Sequence, residues 1–394
     1  MARVVSALDG VPLALELAAS SLRFLSLTDL ADAVENGLEL STSSRERTGR
    51  HDTVGNAMAW SLGTLDESTR DTLRAVCTVL GSFTLDDATA VCSGESEAVT
   101  RTVIELVERS LVSLQQDADG AMRYRVLAPM RRAVTSSLGP PDGEVLRRHA
   151  QHFIGLASTR GGMADRAWQT TMERISDNVT ASIRYAVMDA DTALAVAGAI
   201  SLSSYFRRCG ALERARAALA AVLPMLPRLP DDEATDVLLA SAALAVECDD
   251  CEYALGQAAQ ARRRAADAED SRRQAHALLV EASARTAMTE YHAAGALLDE
   301  ALRLFDVAAD VRGTAVTLGQ LGALHRLGGA SELAAGLLGQ GLARLSSVRG
   351  ATSGWTVTDM VTHQRGRSLL LAELGRPQHP GAMLRRRQPS SSRA

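Results

Sequence analysis

Between Pro12 and Leu25 the apolar positions Leu13, Leu15, Leu17, Ala18, Leu22 and Leu25 are too dense for a helix with one dry face, so the pattern predicts a helix buried on more than one side. Gly10 and Pro12 make its entry turn, since a proline in the first helical turn gives up an N–H that has no partner there. Thr28 can cap a short second helix, and the polar run over residues 41–52 reads as a loop. Helical spacing returns over residues 54–62, over 66–80 with Asp66 as a cap, over 84–92 and over 95–109. Residues 111–115 and 122–127 alternate instead, around the loop Gln116-Asp117-Ala118-Asp119-Gly120, which predicts a β-hairpin. Short helices followed by a hairpin predict a winged-helix domain over residues 47–138, behind a helical segment at 1–46.

Leu138-Gly139-Pro140-Pro141-Asp142-Gly143 is a linker by composition, and a helical connector occupies 144–197. Residues 198–375 carry an internal repeat. Ala215, Ala254, Ala294 and Ala334 recur at spacings of 39, 40 and 40 residues, and twelve positions before each stands another small residue, Ser203, Ala242, Ala282 or Gly322. Small residues a dozen apart on successive helices let the helices cross closely, the packing of tetratricopeptide (TPR) hairpins. Residues 350–375 are read as the start of a fifth unit, and 376–394, with Arg385-Arg386-Arg387 and Ser390-Ser391-Ser392, as a disordered tail. The fold class expected is mostly α: a winged-helix domain followed by an α-α TPR-like superhelical array.

The 394 residues suffice for two or three cored domains, and a net charge of -5 supplies no field that would draw the chain onto nucleic acid or an anionic membrane. All 42 basic residues are arginine. Without lysine there is no intact phosphate-binding loop of the GxxxxGK[ST] type and no Schiff-base chemistry. No signal peptide or membrane-length apolar run is read, and five cysteines make no disulfide framework, which points to the reducing cytoplasm.

Several stretches are similar, in order, to bacterial regulators of the NB-ARC branch of the STAND signal-transduction ATPases, among them large actinobacterial LuxR-type and SARP-type transcription factors. Asp9-Gly10-Val11-Pro12-Leu13-Ala14 resembles their GxP motif. Ala57-Met58-Ala59-Trp60-Ser61, Leu65 to Arg70, Phe83 to Ala88, Leu106 to Val112, and Arg123 to Leu127 with Met130 to Val134 follow in that family's order, and Asp177-Asn178-Val179 resembles the segment that opens its helical arm. The resemblance covers roughly residues 5–206. It implies that Gly10 and Pro12 approach the adenine of ADP or ATP, that a P-loop core precedes this region, and that the chain is the C-terminal, signal-sensing part of such a regulator. A stand-alone TPR-type adaptor is the alternative. The family often places a phosphate-sensing histidine after the wing, where this chain reads Leu127-Ala128-Pro129-Met130.

Other groups are weighed against plainer roles. Helix 95–109 carries Glu95, Glu97, Glu105 and Glu108 against Arg101 and Arg109, the wrong charge for a DNA-reading helix, so no direct nucleic-acid contact is expected. Cys248-Asp249-Asp250-Cys251 has the spacing of half a zinc site or of a redox pair but falls at a repeat turn. His149 and His152 are read as solvated or partly packed, Asn178-Val179-Thr180 as an inert sequon at a helix start, and Arg262-Arg263-Arg264 as solvent-facing. No enzyme active site and no metal site is read. The positions Phe206, Ala245, Arg285 and His325 vary along the repeat and are read as exposed on its concave side, where a protein or small effector would bind.

Overall fold

The computed structural model describes residues 61–117, 120–159 and 165–347, with isolated positions before residue 32. It forms two compact units that divide at Gly198. The predicted fifth repeat and tail, and the GxP helix apart from a few positions, lie outside the described residues.

In the first unit, helix α1 (Glu67–Val76) begins where the Asp66 carboxylate accepts the Thr69 N–H at 2.9 Å. Helix α2 (Leu85–Val91) opens on a reciprocal cap: the Thr84 hydroxyl accepts from the Asp87 N–H and the Asp87 carboxylate from the Thr84 N–H. Helix α3 (Ser96–Glu108) turns Val99, Val103 and Leu106 inward. Strands β2 (Ser113–Gln116) and β3 (Met122–Arg125) form the expected hairpin, with Leu114 opposite Tyr124. A third strand, β1 (Ser82–Phe83), pairs with β3 in the order β1-β3-β2. Two residues are too few for alternation to register; Phe83 is held there by stacking on Tyr124, with ring centroids 5.9 Å apart.

Helix α4 (Ala128–Leu138) follows the wing, and helix α5 (Gly143–Ser158) starts directly behind the Asp142 cap, so the linker shrinks to Gly139-Pro140-Pro141. Helix α6 (Asp165–Met188) is one continuous helix of 24 residues. Asn178 therefore sits inside it and not at a helix start. Trp168, fully buried, donates its indole N–H to the Ala157 carbonyl at 2.9 Å and ties α6 to α5.

The second unit continues from helix α7 (Thr192–Arg208) through α8 (Leu212–Ala220) and a 3₁₀ turn (Leu223–Arg228) into six regular helices. These are α9 (Asp231–Glu247), α10 (Cys251–Asp267), α11 (Ser271–Ala287), α12 (Tyr291–Val307), α13 (Val311–Leu327) and α14 (Ser331–Ser347), each of 17 residues. The 40-residue repeat is thus two equal helix–turn halves. Every turn holds one residue in the left-handed region: Asp249, Glu269, Thr289, Ala309 and Gly329. The next residue's N–H then reaches the carbonyl five positions back, as from Glu290 to Arg285 and from Asp310 to Phe305, both 2.9 Å. The small residues paired in the sequence are buried at helix crossings; a Cβ on Gly322 would stand 3.1 Å from the Ala334 carbonyl oxygen and 2.8 Å from Leu338. Ion pairs join neighbouring repeats, Arg273 to Asp236 through two bonds of 2.9 and 3.0 Å and Arg272 to Asp310 at 2.8 Å.

Thr289 is the costliest of the turn residues, because a β-branched side chain meets the backbone at φ 64°. Thr289→Gly is expected to raise the unfolding free energy by about 1 kcal/mol. Urea unfolding followed by circular dichroism checks this; a loss of stability would show that the threonine side chain makes a compensating contact.

Candidate functional site

The outward face of α3 is self-neutralised. Arg101 is paired with Glu97 at 3.2 Å and Arg109 with Glu105 at 2.7 Å, which leaves Glu108 and the half-exposed Ile104 between them. The wing's cations are likewise engaged. Arg123 is only 9% exposed and bonds Asp117 at 2.9 Å; Arg131 donates to the carbonyls of Cys77 and Val126; Arg125 and Arg132 also interact within the chain. A groove-docking helix presents cations along its flanks; here Arg101 and Arg109 are ion-paired on an exposed surface, and Arg123 and Arg131 bond within the domain.

Behind the wing, a buried polar chain joins α5 and α6 to the turn after α1. The Asn178 amide accepts the Leu80 N–H at 2.7 Å and donates to the Leu80 carbonyl at 2.9 Å, which fixes which end is oxygen. That oxygen lies 3.1 Å from His149 Nε2, so the imidazole must be the donor there. Its Nδ1 faces the Ser182 hydroxyl at 3.2 Å, and that hydroxyl is 2.8 Å from the Asn178 carbonyl. Burial, partly opposed by the Asn178 bond, pushes the His149 pKa down to about 4, so the ring is neutral. One turn on, His152 Nε2 meets the Asp87 carboxylate at 2.7 Å, and Arg148 donates to the Val91 carbonyl at 3.1 Å. Burial raises the Asp87 pKa, but the His152 bond and the Thr84 cap outweigh it and hold the carboxyl below its usual range.

His152 is partly packed, within the expectation, whereas His149 is buried, because α5 packs its His149 face inward. Asn178 is the joining residue whose role the sequence concealed: its signal was a polar amide on the apolar stripe of a long helix. Ser182, His149 and Asn178 stand in the order of a hydrolase's nucleophile, base and orienting group. Ser182 is 0% exposed, however, so its hydroxyl meets no substrate and the chain acts as a joint.

An open cleft of about 710 Å³ between the starts of α1 and α5 is lined by Asp66, Glu67, Asp71, Arg74, Asp142 and Arg148. Asp66 and Asp142 are engaged as helix caps and Arg148 by Val91 and Glu144. Cys77 and Cys92 are buried thiols pushed up to about 12 by desolvation, which makes them poor nucleophiles.

Along the repeats, the four positions read as exposed prove to close the turns. Phe206 and Ala245 are buried, at 4% and 6% exposure, and Phe206 lies under the Arg214 guanidinium, 4.1 Å from its ring centre. Arg285 pairs with Glu290, and His325 is half-buried. Each follows the small crossing residue by three positions, hence lies on the same helix side, and its carbonyl accepts the turn amide. Arg262 and Arg263 are exposed as expected and Arg264 is half-buried; Arg262 and Arg264 also bond Glu281 and Asp231 on neighbouring helices. Cys248 and Cys251 end α9 and start α10. No cluster of three metal-ligating side chains occurs among the described residues, and none of their helices is long and apolar enough to cross a membrane. Gly10 and Pro12 lie outside the described residues.

Residues 65–134 match the family model of a winged helix-turn-helix domain. Proteins of Mycobacterium bovis and Mycobacterium tuberculosis named as HTH-type transcriptional regulators are 30% identical to this chain over 186 residues, 45% of its length and 21% of theirs. The chain thus spans about a fifth of the length of the curated relatives it matches. Among solved structures, a STAND protein with a tetratricopeptide repeat sensor from Pyrococcus horikoshii aligns at TM-score 0.44 and 12% identity, over 91% of this chain and 57% of that one. BtubC of P. vanneervenii aligns at TM-score 0.34 and 16% identity, over 62% and 98%. At these scores neither likeness carries the architecture, which rests on the winged helix and the helix-pair array themselves.

Proposed function

We propose that this chain is the signal-sensing and coupling region of a STAND-type transcriptional regulator. The repeat helices take a protein partner, the winged helix passes the change to an ADP- or ATP-binding switch, and the region has no catalytic site of its own. The nucleotide contacts would come from Gly10, Pro12 and a P-loop core carried outside this sequence, which has no lysine. The relatives named as transcriptional regulators support the regulatory setting, and their greater length leaves room for such a core and for a separate DNA-contacting domain.

The observation that carries the reading is the charge on α3: both arginines at its outward face pair with its own glutamates, so docking in a major groove would bring no unpaired arginine and would set Glu108 against phosphates. A second reading, direct DNA contact, is favoured by the winged helix-turn-helix match itself. Fluorescence anisotropy with a labelled duplex at about 50 mM salt separates the two. No saturable binding is expected; binding that weakens steeply as salt rises would replace the coupling role by DNA readout.

A further inference from the structure

The six regular helices of the second unit turn at two edges, and the edges differ. Where α10 leads to α11 and α12 to α13, Asp270 holds Arg273 and Asp310 holds Arg272, and Asp231 at the start of α9 holds Arg264, while Asp267, Glu269 and Asp306 are exposed and make no ion pair among the described residues. Where α9 leads to α10, α11 to α12 and α13 to α14, Asp249, Glu252 and Glu332 are exposed and make no ion pair among the described residues, while Arg285 is engaged by Glu290. The same edge exposes Tyr253, Met288, Tyr291, Leu327 and Leu333, each between 38 and 53% exposed, so every turn along it offers an apolar group. On the other edge of these helices the exposed large apolar side chains among the described residues are Val307 and Val311, both at the α12–α13 turn, so apolar exposure and not charge sets the two edges apart.

Helices packed at 8–10 Å step the turns by about 10 Å per repeat, and seven residues of α-helix rise about 10.5 Å. A helix with an apolar residue every seventh position therefore meets each turn in register. We propose that this edge docks a basic amphipathic helix of a protein partner, its apolar seam on Tyr253, Tyr291 and Leu333 and its arginines or lysines against Asp249, Glu252 and Glu332. The inference rests on the reading of the repeats as a partner-binding element and names the partner's chemistry. The positions Phe206, Ala245, Arg285 and His325 stand behind this edge and hold the turns that present it.

The test uses the full chain and two labelled synthetic helical peptides, one with leucine at heptad positions and arginine on its flanks, the other with glutamate in place of arginine. The arginine peptide is expected to bind saturably and at least tenfold more tightly than the glutamate peptide. Tyr253→Ser, Tyr291→Ser and Leu333→Ser together should weaken it at least tenfold with unfolding unchanged, and Glu252→Gln with Glu332→Gln should flatten its salt dependence. Equal binding of both peptides, equal binding to the triple variant, or no binding overturns the edge. If the triple variant still cross-links a protein through α9–α14 as the unsubstituted chain does, the edge falls and the partner-binding reading stands; no cross-link and no peptide binding removes both.

Discussion

Asn178→Leu is expected to cost the first unit about 3–5 kcal/mol, although leucine has the same branched side-chain skeleton as asparagine. The amide serves three groups at once: the Leu80 N–H, the Leu80 carbonyl and the His149 Nε2–H. Leucine leaves all three without partners in a dry site, and each orphaned buried group costs about 1–3 kcal/mol. The turn carrying Leu80 leads into β1, so its loss loosens the strand that Phe83 anchors on Tyr124. Adding His149→Leu should cost less than the sum of the two single changes, because it removes one orphan. Urea unfolding reports the loss, and hydrogen exchange at the Leu80 amide should accelerate with it. A change below about 1 kcal/mol would mean that water or a shifted side chain replaces the amide, and that Asn178 does not join the helices to the winged helix.

Acid should weaken the same joint. His149 is held neutral in the fold with a pKa near 4, whereas in the unfolded chain it titrates at its ordinary value of 6.5. Between those values the unfolded chain binds a proton that the folded chain refuses, so stability is full above the unfolded value and is lost as pH falls toward the folded one. The loss approaches about 3 kcal/mol at the lower end. Asp87, held below the usual carboxylate range, contributes in the same direction as pH falls further. Unfolding measured from pH 7 to pH 4.5 should show a slope that His149→Gln flattens, since glutamine is polar but does not titrate. An unchanged slope in that variant would assign the acid sensitivity elsewhere.

The winged helix was legible because its signals are local. Asp66 and the Thr84-Asp87 pair close rings of a few residues, and the hairpin announces itself by alternation on either side of a glycine-bearing loop. The repeat was legible because tight crossings admit only small residues, so Ala242, Ala254, Ala282, Ala294, Gly322 and Ala334 had to recur. Charge on α3 was equally readable, as glutamates and arginines four residues apart must meet on a helix.

The faces of the helices and the partners of the polar residues were not. Phe206 and Ala245 could be aligned but not judged buried, because that depends on which neighbour covers the last turn of each helix. Asn178 lies 98 residues from Leu80 and 29 from His149, and no spacing rule spans such separations. By itself the sequence determined a mostly helical chain with a winged helix and a 40-residue repeat, since capping, periodicity and small-residue spacing act within a few turns of backbone. Only the tertiary structure decided that His149 is a neutral joint, that Arg123 and Arg131 bond within the winged-helix domain, and that one edge of the repeats exposes an apolar group at every turn. Those outcomes depend on desolvation and hydrogen-bond partners that folding brings together from distant parts of the chain.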